Sequence, residues 1–214
     1  MSIRTHLAAA VLAVAVAPVV FGAETGSAQA GAEKVMVCMA CHGMNGNSTN
    51  PEWPTLAGQN AAYISKQLEL FKEGKRTNAL MSPMALALST QDMADIGAYY
   101  AQQTPTGQEA APSPHPGAGQ ALYRGGDTQR GIPACMACHG PTGHGNPAAG
   151  YPALRTQHAV YTTKQLNDYA GQNRYRDAAG KIETTPTSSM MVTIAQRLTP
   201  EEVSNVATYI QGMR

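Results

Sequence analysis

Cys38-Met39-Ala40-Cys41-His42 is the stretch that decides the fold, and it recurs letter for letter as Cys135-Met136-Ala137-Cys138-His139. Cys-x-x-Cys-His is the attachment signature of c-type haem. Two thiols three positions apart can each bond one vinyl group of a porphyrin, and the neighbouring imidazole then faces the iron as an axial ligand. The two copies use all 4 cysteines of the chain. The sequence therefore predicts two covalently attached haem c groups, held by Cys38 and Cys41 and by Cys135 and Cys138, with His42 and His139 as iron ligands.

Disulfide bonds and structural zinc are the other common uses of paired cysteines. An oxidising compartment favours disulfides, and a zinc ribbon needs four ligands at each site. Each motif here has two thiols and one histidine, and no clear fourth donor lies near it in the sequence. The pattern therefore favours haem over both alternatives.

The chain begins with the features of a secretory leader. Arg4 supplies a positive charge, residues 7–20 are apolar, and Ala28-Gln29-Ala30 resembles a cleavage site. We expect residues 1–30 to be a signal peptide, with a cut after Ala23 as the alternative. An uncleaved anchor is a further interpretation, although the apolar run is short for a membrane-spanning helix. No other long apolar stretch follows, so we expect a soluble mature chain.

The repeat extends well beyond the cysteine motifs, which makes the chain a tandem duplication. Trp53-Pro54-Thr55-Leu56 matches Tyr151-Pro152-Ala153-Leu154, and the second copy carries an insertion around residues 177–186. Residues 102–116 contain four prolines, which is typical of an extended linker. The other matched residues are Gln59, Tyr63, Lys66-Gln67-Leu68, Phe71 and Arg76 in the first copy and Gln157, Tyr161, Lys164-Gln165-Leu166, Tyr169 and Arg174 in the second. We expect domains at 31–103 and 117–214, joined by a linker at 104–116.

Helical signals dominate both copies, and no stretch alternates convincingly like a strand. Ser89-Thr90-Gln91-Asp92 and Thr199-Pro200-Glu201-Glu202 resemble capping boxes before the last helix of each copy. Asn60 is expected to cap the helix that follows it. N-terminal helices are expected over Ala32–Cys38 and about Gly119–Tyr123. The pattern predicts an all-α fold.

The ligand opposite each histidine decides the chemistry, because an open iron face binds small molecules whereas a second protein ligand suits electron transfer. The candidates are Met81, Met84, Met190 and Met191. Met81 and Met191 each lie seven positions before a Leu-Ser or Leu-Thr pair, so they match in register, whereas Met84 and Met190 do not. We therefore predict Met81 and Met191 as the sixth ligands and keep Met84 and Met190 as alternatives. A thioether favours the ferrous state and raises the potential.

Histidine is the other common sixth ligand, but the remaining histidines are poorly placed. His6 lies in the leader and His115 in the linker. His144 lies too close to its own motif, and His158 starts a helix where the first copy has Asn60. We expect these histidines to be surface or capping residues.

Charge is distributed unequally between the two copies. Residues 31–101 contain five Lys and Arg against six Asp and Glu, a net of −1, whereas residues 117–214 contain nine against six, a net of +3. The asymmetry is either ordinary solvated surface or a dipole that orients the protein on its redox partners. No dense basic patch with interleaved aromatic residues is present in the sequence, so nucleic acid is not an expected partner.

The combination of motifs resembles the dihaem cytochromes c4 of bacteria, which consist of two class I cytochrome c domains in tandem. The matching stretches of the first copy are Val37–Gly43, Asn45–Ser48, Leu56–Gln59, Lys66–Leu68, Leu88-Ser89 and Ala98–Tyr100. Those of the second are Leu122–Gly126, Ile132–Cys135, Gln157–Tyr161 and Tyr209–Gly212. The resemblance covers nearly the whole mature chain and implies two all-α domains related by pseudo-twofold symmetry.

The resemblance also implies a function. It implies a periplasmic carrier, soluble or loosely associated with the membrane, that passes single electrons between respiratory redox proteins without turning over a substrate of its own. The expected partners are a terminal oxidase, a quinol-oxidising complex or other cytochromes. A fixed subunit of a dehydrogenase or oxidase complex and, less favoured, a dihaem peroxidase-like enzyme are the alternatives.

Two sets of further residues are expected around the haems. The resemblance implies that the carbonyl groups of Pro54 and Pro152 accept the Nδ1–H of His42 and His139; the alternative is that both are simple turn prolines. This hydrogen bond would fix the orientation of each ring and tune the iron that it binds. The residues that approach the haem propionates, or else belong to the core and surface, are Tyr63, Tyr161, Gln67, Gln165, Arg76 and Arg174.

Overall fold

The protein consists of helices arranged as two similar halves. The computed structural model describes residues 25–110, 116–182 and 185–214. The helices of the first half are α1 (Ala28–Lys34), α2 (Met36–His42), α3 (Ala61–Lys72), α4 (Met81–Leu86) and α5 (Thr90–Ala101). Those of the second half are α6 (Pro116–Gly125), α7 (Met136–His139), α8 (Ala159–Ala170), α9 (Pro186–Ala195) and α10 (Pro200–Gly212).

The remaining regular structure is slight. Short 3-10 turns lie at Met44–Gly46 and Pro147–Ala149. Within the described ranges, β pairing is limited to three isolated antiparallel bridges. The predicted all-α fold is confirmed. Among the same residues, every helix is too short or too polar to cross a lipid bilayer.

The last helix of each half begins with the capping box that the sequence predicts. Ser89 accepts a hydrogen bond from the backbone N–H of Asp92, whose carboxylate accepts one from the N–H of Ser89. Thr199 and Glu202 repeat the arrangement at the start of α10. Each box satisfies two N–H groups that the helix itself leaves unpaired. The direction of both helices is therefore fixed at their first turn.

Each half has its own apolar core, in which the first helix crosses the last. The first core is formed by Val35, Ile64, Leu68, Met93, Ile96 and Tyr100. The second is formed by Leu122, Tyr123, Ile132, Val206, Ile210 and Met213. At the crossings, a Cβ atom added to Gly31 would lie 2.1 Å from the carbonyl oxygen of Asp95, and one added to Gly119 would lie 2.0 Å from that of Asn205. The two glycines therefore let the helix backbones touch.

The N-terminal helix begins earlier than the predicted range Ala32–Cys38. Ser27 caps α1 by accepting a hydrogen bond from the N–H of Ala30, and its own N–H donates to Asp95 at 2.8 Å. The stretch of small residues has no apolar periodicity, so the sequence pattern gave no signal for this turn. The expected leader lies mostly in residues 1–24, outside the described residues, while Ala28–Ala30 form the first turn of α1.

The other predicted N-terminal helix, Gly119–Tyr123, lies within the longer α6. The linker leaves the first half along its surface. Asn47 donates from Nδ2 to the carbonyl of Thr104 at 3.1 Å and accepts from the N–H of Thr106 at 2.9 Å. Residues 111–115 of the expected linker lie outside the described residues. The insertion of the second half forms a turn in which Arg176 and Ile182 pair.

Candidate haem sites

The first cysteine motif occupies α2. Cys38 and Cys41 are three residues apart, so their side chains lie on one face of the helix. His42 is the last residue of α2, and Gly43 ends the helix with φ 76° and ψ 166°. Such a positive φ is readily adopted only by glycine. The backbone therefore turns away directly after the histidine and leaves its ring facing the protein interior.

The second motif reproduces this geometry. Cys135 precedes the short helix α7, His139 ends it, and the N–H of His139 donates to the carbonyl of Cys135 at 2.9 Å. Gly140 follows with φ 80° and ψ 158°, within a few degrees of Gly43. The two halves thus present the same thiol–thiol–imidazole arrangement on the same local backbone.

Both histidines are held by the proline carbonyls that the resemblance implies. Nδ1 of His42 lies 2.9 Å from the carbonyl oxygen of Pro54, and Nδ1 of His139 lies 2.9 Å from that of Pro152. Because a carbonyl only accepts, Nδ1 carries the proton in each ring and Nε2 keeps its lone pair for a metal. The two histidine residues are only 6% and 7% exposed, and this burial lowers the pKa of both despite the bond to the carbonyl. The predicted proline contacts are confirmed.

The four candidate methionines differ in exposure. Met84 is 53% exposed and Met190 is 42% exposed. Met81 is half-buried at the start of α4 and packs against the first core. Met191 is half-buried in α9. Met81 and Met191 are therefore the less exposed two of the four candidates.

A polar cluster lies between the two halves. It consists of the six residues for which the sequence allowed two roles, either contact with the haem propionates or ordinary packing. Nη2 of Arg174 donates to the hydroxyl of Tyr63 at 2.6 Å and to Oε1 of Gln67 at 3.3 Å. Arg76 reciprocates, since its Nη2 lies 3.2 Å from the hydroxyl of Tyr161 and 3.0 Å from Oε1 of Gln165. Each arginine thus reaches across to the other half.

Arg174 supplies a test of whether haem suits this site. The residue is only 5% exposed, and its Nε and Nη1 find no hydrogen-bond partner in the described part of the chain. A buried guanidinium without a compensating anion costs several kcal/mol. A haem propionate is an anion of the kind that arginine binds well. The unpaired donors, together with paired thiols and a buried imidazole with a free nitrogen, fit a c-type haem.

The surfaces of the two halves meet through hydrogen bonds that sequence reasoning missed. Nε2 of Gln59 donates to the carbonyl of Ala153 at 2.9 Å, and the N–H of Ala153 returns a bond to Oε1 at 2.8 Å. Gln157 makes the same pair of bonds with Thr55, both at 2.9 Å. The repeat pairs Gln59 with Gln157, which was the available signal, but a repeat alone does not tell whether two matched residues face each other's domain.

The residues that follow these two glutamines, Asn60 and His158, differ from the capping predictions. Asn60 occupies the N-cap of α3, as expected, but its side chain donates to the carbonyl of Tyr151 at 2.7 Å instead of capping the helix. His158 occupies the N-cap of α8, is buried, and donates from Nε2 to the carbonyl of Ser48 at 2.9 Å. Both side chains were expected at the surface or on a helix end. They donate to carbonyl groups of the other half instead.

Comparison with known proteins settles the family. The model of the cytochrome c family matches residues 28–104 and 117–214. Cytochrome c4 of Pseudomonas aeruginosa is 43% identical over 188 residues, which cover 88% of this chain and 89% of that protein. The chain belongs to the cytochrome c4 family. Members of this family are dihaem cytochromes of electron transfer, so two covalently bound haem c groups are established for the motifs at Cys38 and Cys135.

Two further similarities bear on architecture and partners. The crystal structure of reduced recombinant cytochrome c4 from Pseudomonas stutzeri superposes with a TM-score of 0.79 at 39% identity, covering 89% of this chain and all of that one. This match confirms the predicted fold of two cytochrome c domains. A thiosulfate dehydrogenase electron acceptor of Thiomonas intermedia is 36% identical over 205 residues, covering 94% of this chain and 89% of that protein. The cytochrome c4 scaffold is therefore similar to a protein named for accepting electrons from an enzyme.

Proposed function

We propose that this member of the cytochrome c4 family is a periplasmic carrier of single electrons that turns over no substrate of its own. In this proposal His42 and Met81 would hold one haem iron, and His139 and Met191 would hold the other. The observation that carries it is the hydrogen bond from a buried histidine to a proline carbonyl, which occurs at 2.9 Å in both halves. A bound haem supplies a one-electron couple.

The roles of the surrounding residues follow from their contacts. The carbonyl of Pro54 or Pro152 holds the proton on Nδ1 and orients the ring, so that Nε2 presents its lone pair. The half-buried Met81 and Met191 supply a neutral, soft sulfur ligand that favours the ferrous state. Arg174 and Arg76 offer positive charge to the propionates from both sides of the domain boundary. An iron held by two protein ligands has no free position for a substrate, which is what a carrier requires.

The direction of electron flow is the finer part of the proposal. We place the protein between a quinol-oxidising complex or another cytochrome and a terminal oxidase, as the family resemblance implies. A second candidate is delivery of electrons from a dehydrogenase, which is favoured by the similarity to the thiosulfate dehydrogenase electron acceptor. The two differ in the donor. Reduction of the purified oxidised protein by quinol-oxidising membranes, but not by thiosulfate with its dehydrogenase, would support the first.

The ligand assignment has a direct spectroscopic test. Ferric haem with methionine as its sixth ligand has a weak charge-transfer band in the far red. The oxidised protein should have this band at an intensity that accounts for two haems. Met81→Ala and Met191→Ala should each remove about half of it, whereas the matched controls Met84→Ala and Met190→Ala should leave it intact. Loss of the band in either control would overturn the assignment.

Location is tested separately. A periplasmic protein, soluble or loosely bound to membranes, should leave the cell with the contents released by mild osmotic shock, or leave the membranes in a high-salt wash. A chain that stays with the membranes after such a wash, together with other subunits, would favour the alternative of a fixed component of a larger complex.

A further inference from the structure

One peptide group connects the ligand histidine of the first half to the second half. The carbonyl of Pro54 and the N–H of Thr55 belong to the same peptide. The carbonyl accepts from Nδ1 of His42 at 2.9 Å, and the N–H donates to Oε1 of Gln157 at 2.9 Å. A continuous chain of hydrogen bonds therefore runs from a side chain of the C-terminal half to the imidazole of the N-terminal half.

The second half repeats the chain in the opposite direction. The carbonyl of Pro152 accepts from Nδ1 of His139 at 2.9 Å, and the N–H of the same peptide, on Ala153, donates to Oε1 of Gln59 at 2.8 Å. Each histidine is thus connected, through one peptide, to a glutamine of the other domain.

Both glutamine amides are held in a single orientation. Oε1 of Gln157 accepts a second bond from the N–H of His158 at 3.1 Å, while Nε2 donates to the carbonyl of Thr55 at 2.9 Å. Gln59 has the same environment, with the N–H of Asn60 at 2.9 Å from its Oε1. Two N–H donors on one side and a carbonyl on the other allow only one placement of oxygen and nitrogen. The oxygen therefore always faces the peptide of the partner domain.

The expected effect on the imidazole has a definite sign. Hydrogen bonds in a chain polarise one another, so an acceptor on the peptide N–H makes the carbonyl of the same peptide a better acceptor. A stronger bond from Nδ1–H makes the imidazole more electron-rich and a stronger donor to a metal. A stronger donor stabilises the ferric state and lowers the reduction potential.

We propose that Gln157 lowers the reduction potential of the haem in the N-terminal half and that Gln59 lowers that of the haem in the C-terminal half. Both are positioning residues, since each acts through the peptide that holds a ligand histidine. The inference rests on the proposed assignment of His42 and His139 as ligands. It makes the docking of the two domains part of what sets each potential.

The test compares Gln157→Met with Gln59→Met in the full-length protein that contains both haems. Methionine keeps the length of the side chain, but its thioether sulfur is a much weaker acceptor for the peptide N–H than an amide oxygen. Gln157→Met should raise the reduction potential of the N-terminal haem by at least about 28 mV, which is a threefold change in its one-electron equilibrium constant. The potential of the C-terminal haem should not change. Gln59→Met should do the reverse. Nuclear magnetic resonance of signals near the thioethers of Cys38 and Cys135 tells the two haems apart.

The matched control is His158→Asn, which alters a neighbouring bond between the domains without touching the peptide of Thr55. It should leave both potentials unchanged. In Gln157→Met, the Nδ1–H proton of His42 should also move to lower chemical shift, because its hydrogen bond weakens. Gln157→Asn, whose shorter side chain does not reach Thr55, should raise the same potential and serves if the methionine variant fails to fold.

Three outcomes would overturn the inference. The first is that neither reduction potential changes. The second is that a variant changes the potential of the haem in its own domain. The third is that the two variants and the control all change both potentials equally. Each can occur while the far-red band stays intact, in which case the ligand assignment stands and only the role of the glutamines fails. Loss of the far-red band in the unsubstituted protein would instead count against the proposed ligation.

Discussion

Nη2 of Arg174 lies 2.6 Å from the hydroxyl oxygen of Tyr63, which belongs to the other half of the chain. The guanidinium is buried, yet two of its nitrogens have no hydrogen-bond partner among the described residues. With haem attached, we expect a propionate to complete its environment. Removing the cation would then leave a buried anion unpaired, which is strongly destabilising.

The first prediction follows from that site. Arg174→Met should lower the free energy of unfolding of the haem-containing protein by about 3 kcal/mol, as measured by denaturant titration. Arg176→Met is the matched control, because the Arg176 guanidinium donates to the carbonyl of Gly180 in an exposed turn. It should change stability by less than about 0.5 kcal/mol. Equal losses in the two variants would contradict a propionate contact for Arg174.

The second prediction concerns acid stability of the first half. The pKa of Asp95 is lowered mainly by the hydrogen bond from Lys34, at 2.6 Å, and further by the bond from the N–H of Ser27. A depressed pKa adds stability above the pKa of the unfolded chain, about 3.9 for Asp, and this stability is lost as pH falls through the folded value. Asp95→Asn should therefore destabilise the protein at neutral pH and flatten the loss of stability on acidification below about pH 4.

A comparison variant sharpens that experiment. Asp168→Asn removes an ion pair with Lys164 on an exposed helix face of the second half. Exposed pairs of this kind contribute little, so this variant should change the free energy of unfolding at neutral pH by less than about 1 kcal/mol. An acid branch that stays steep in Asp95→Asn would show that other carboxylates cause the transition.

The third prediction concerns helix crossing. A Cβ atom on Gly119 would lie 2.0 Å from the carbonyl oxygen of Asn205, so α6 and α10 would have to separate. Gly119→Ala should destabilise the second half by about 2 kcal/mol, as expected for overpacking. Gly117→Ala, two residues earlier in the same helix, meets no described atom within 4 Å. It should leave the melting temperature unchanged or raise it, because alanine favours helix over glycine.

The fourth prediction concerns the mature N-terminus. Ser27 caps α1 and donates its N–H to Asp95, and a Cβ on Gly26 would meet the backbone of Ala94. A cut after Ala30 would remove these contacts, whereas a cut after Ala23 keeps them. We therefore expect intact-mass measurement of the exported protein to place the first residue at Glu24. A mass that starts at Gly31 would contradict this and support the cleavage motif at Ala28–Ala30.

The sequence was informative where chemistry imposes a pattern. The cysteine motifs, the capping boxes and the register of the duplication each depend on neighbouring residues, so they could be found without coordinates. The start of α1 could not, because small residues that pack by close approach have no periodicity. The glutamine and Asn60 contacts could not either, since they depend on how two finished domains face each other. Met81 and Met191 stay predictions, which the exposure of Met84 and Met190 favours.

The bonds of Gln59 and Gln157 show that the same surface patch occurs once in each half of the chain and that the two copies bind each other. Self-matching patches are what symmetric pairs of identical subunits use to associate. Here both copies belong to one polypeptide, so their association is unimolecular and does not weaken on dilution. The spacing between the two redox centres is therefore the same in a crowded cell compartment and in a dilute cuvette.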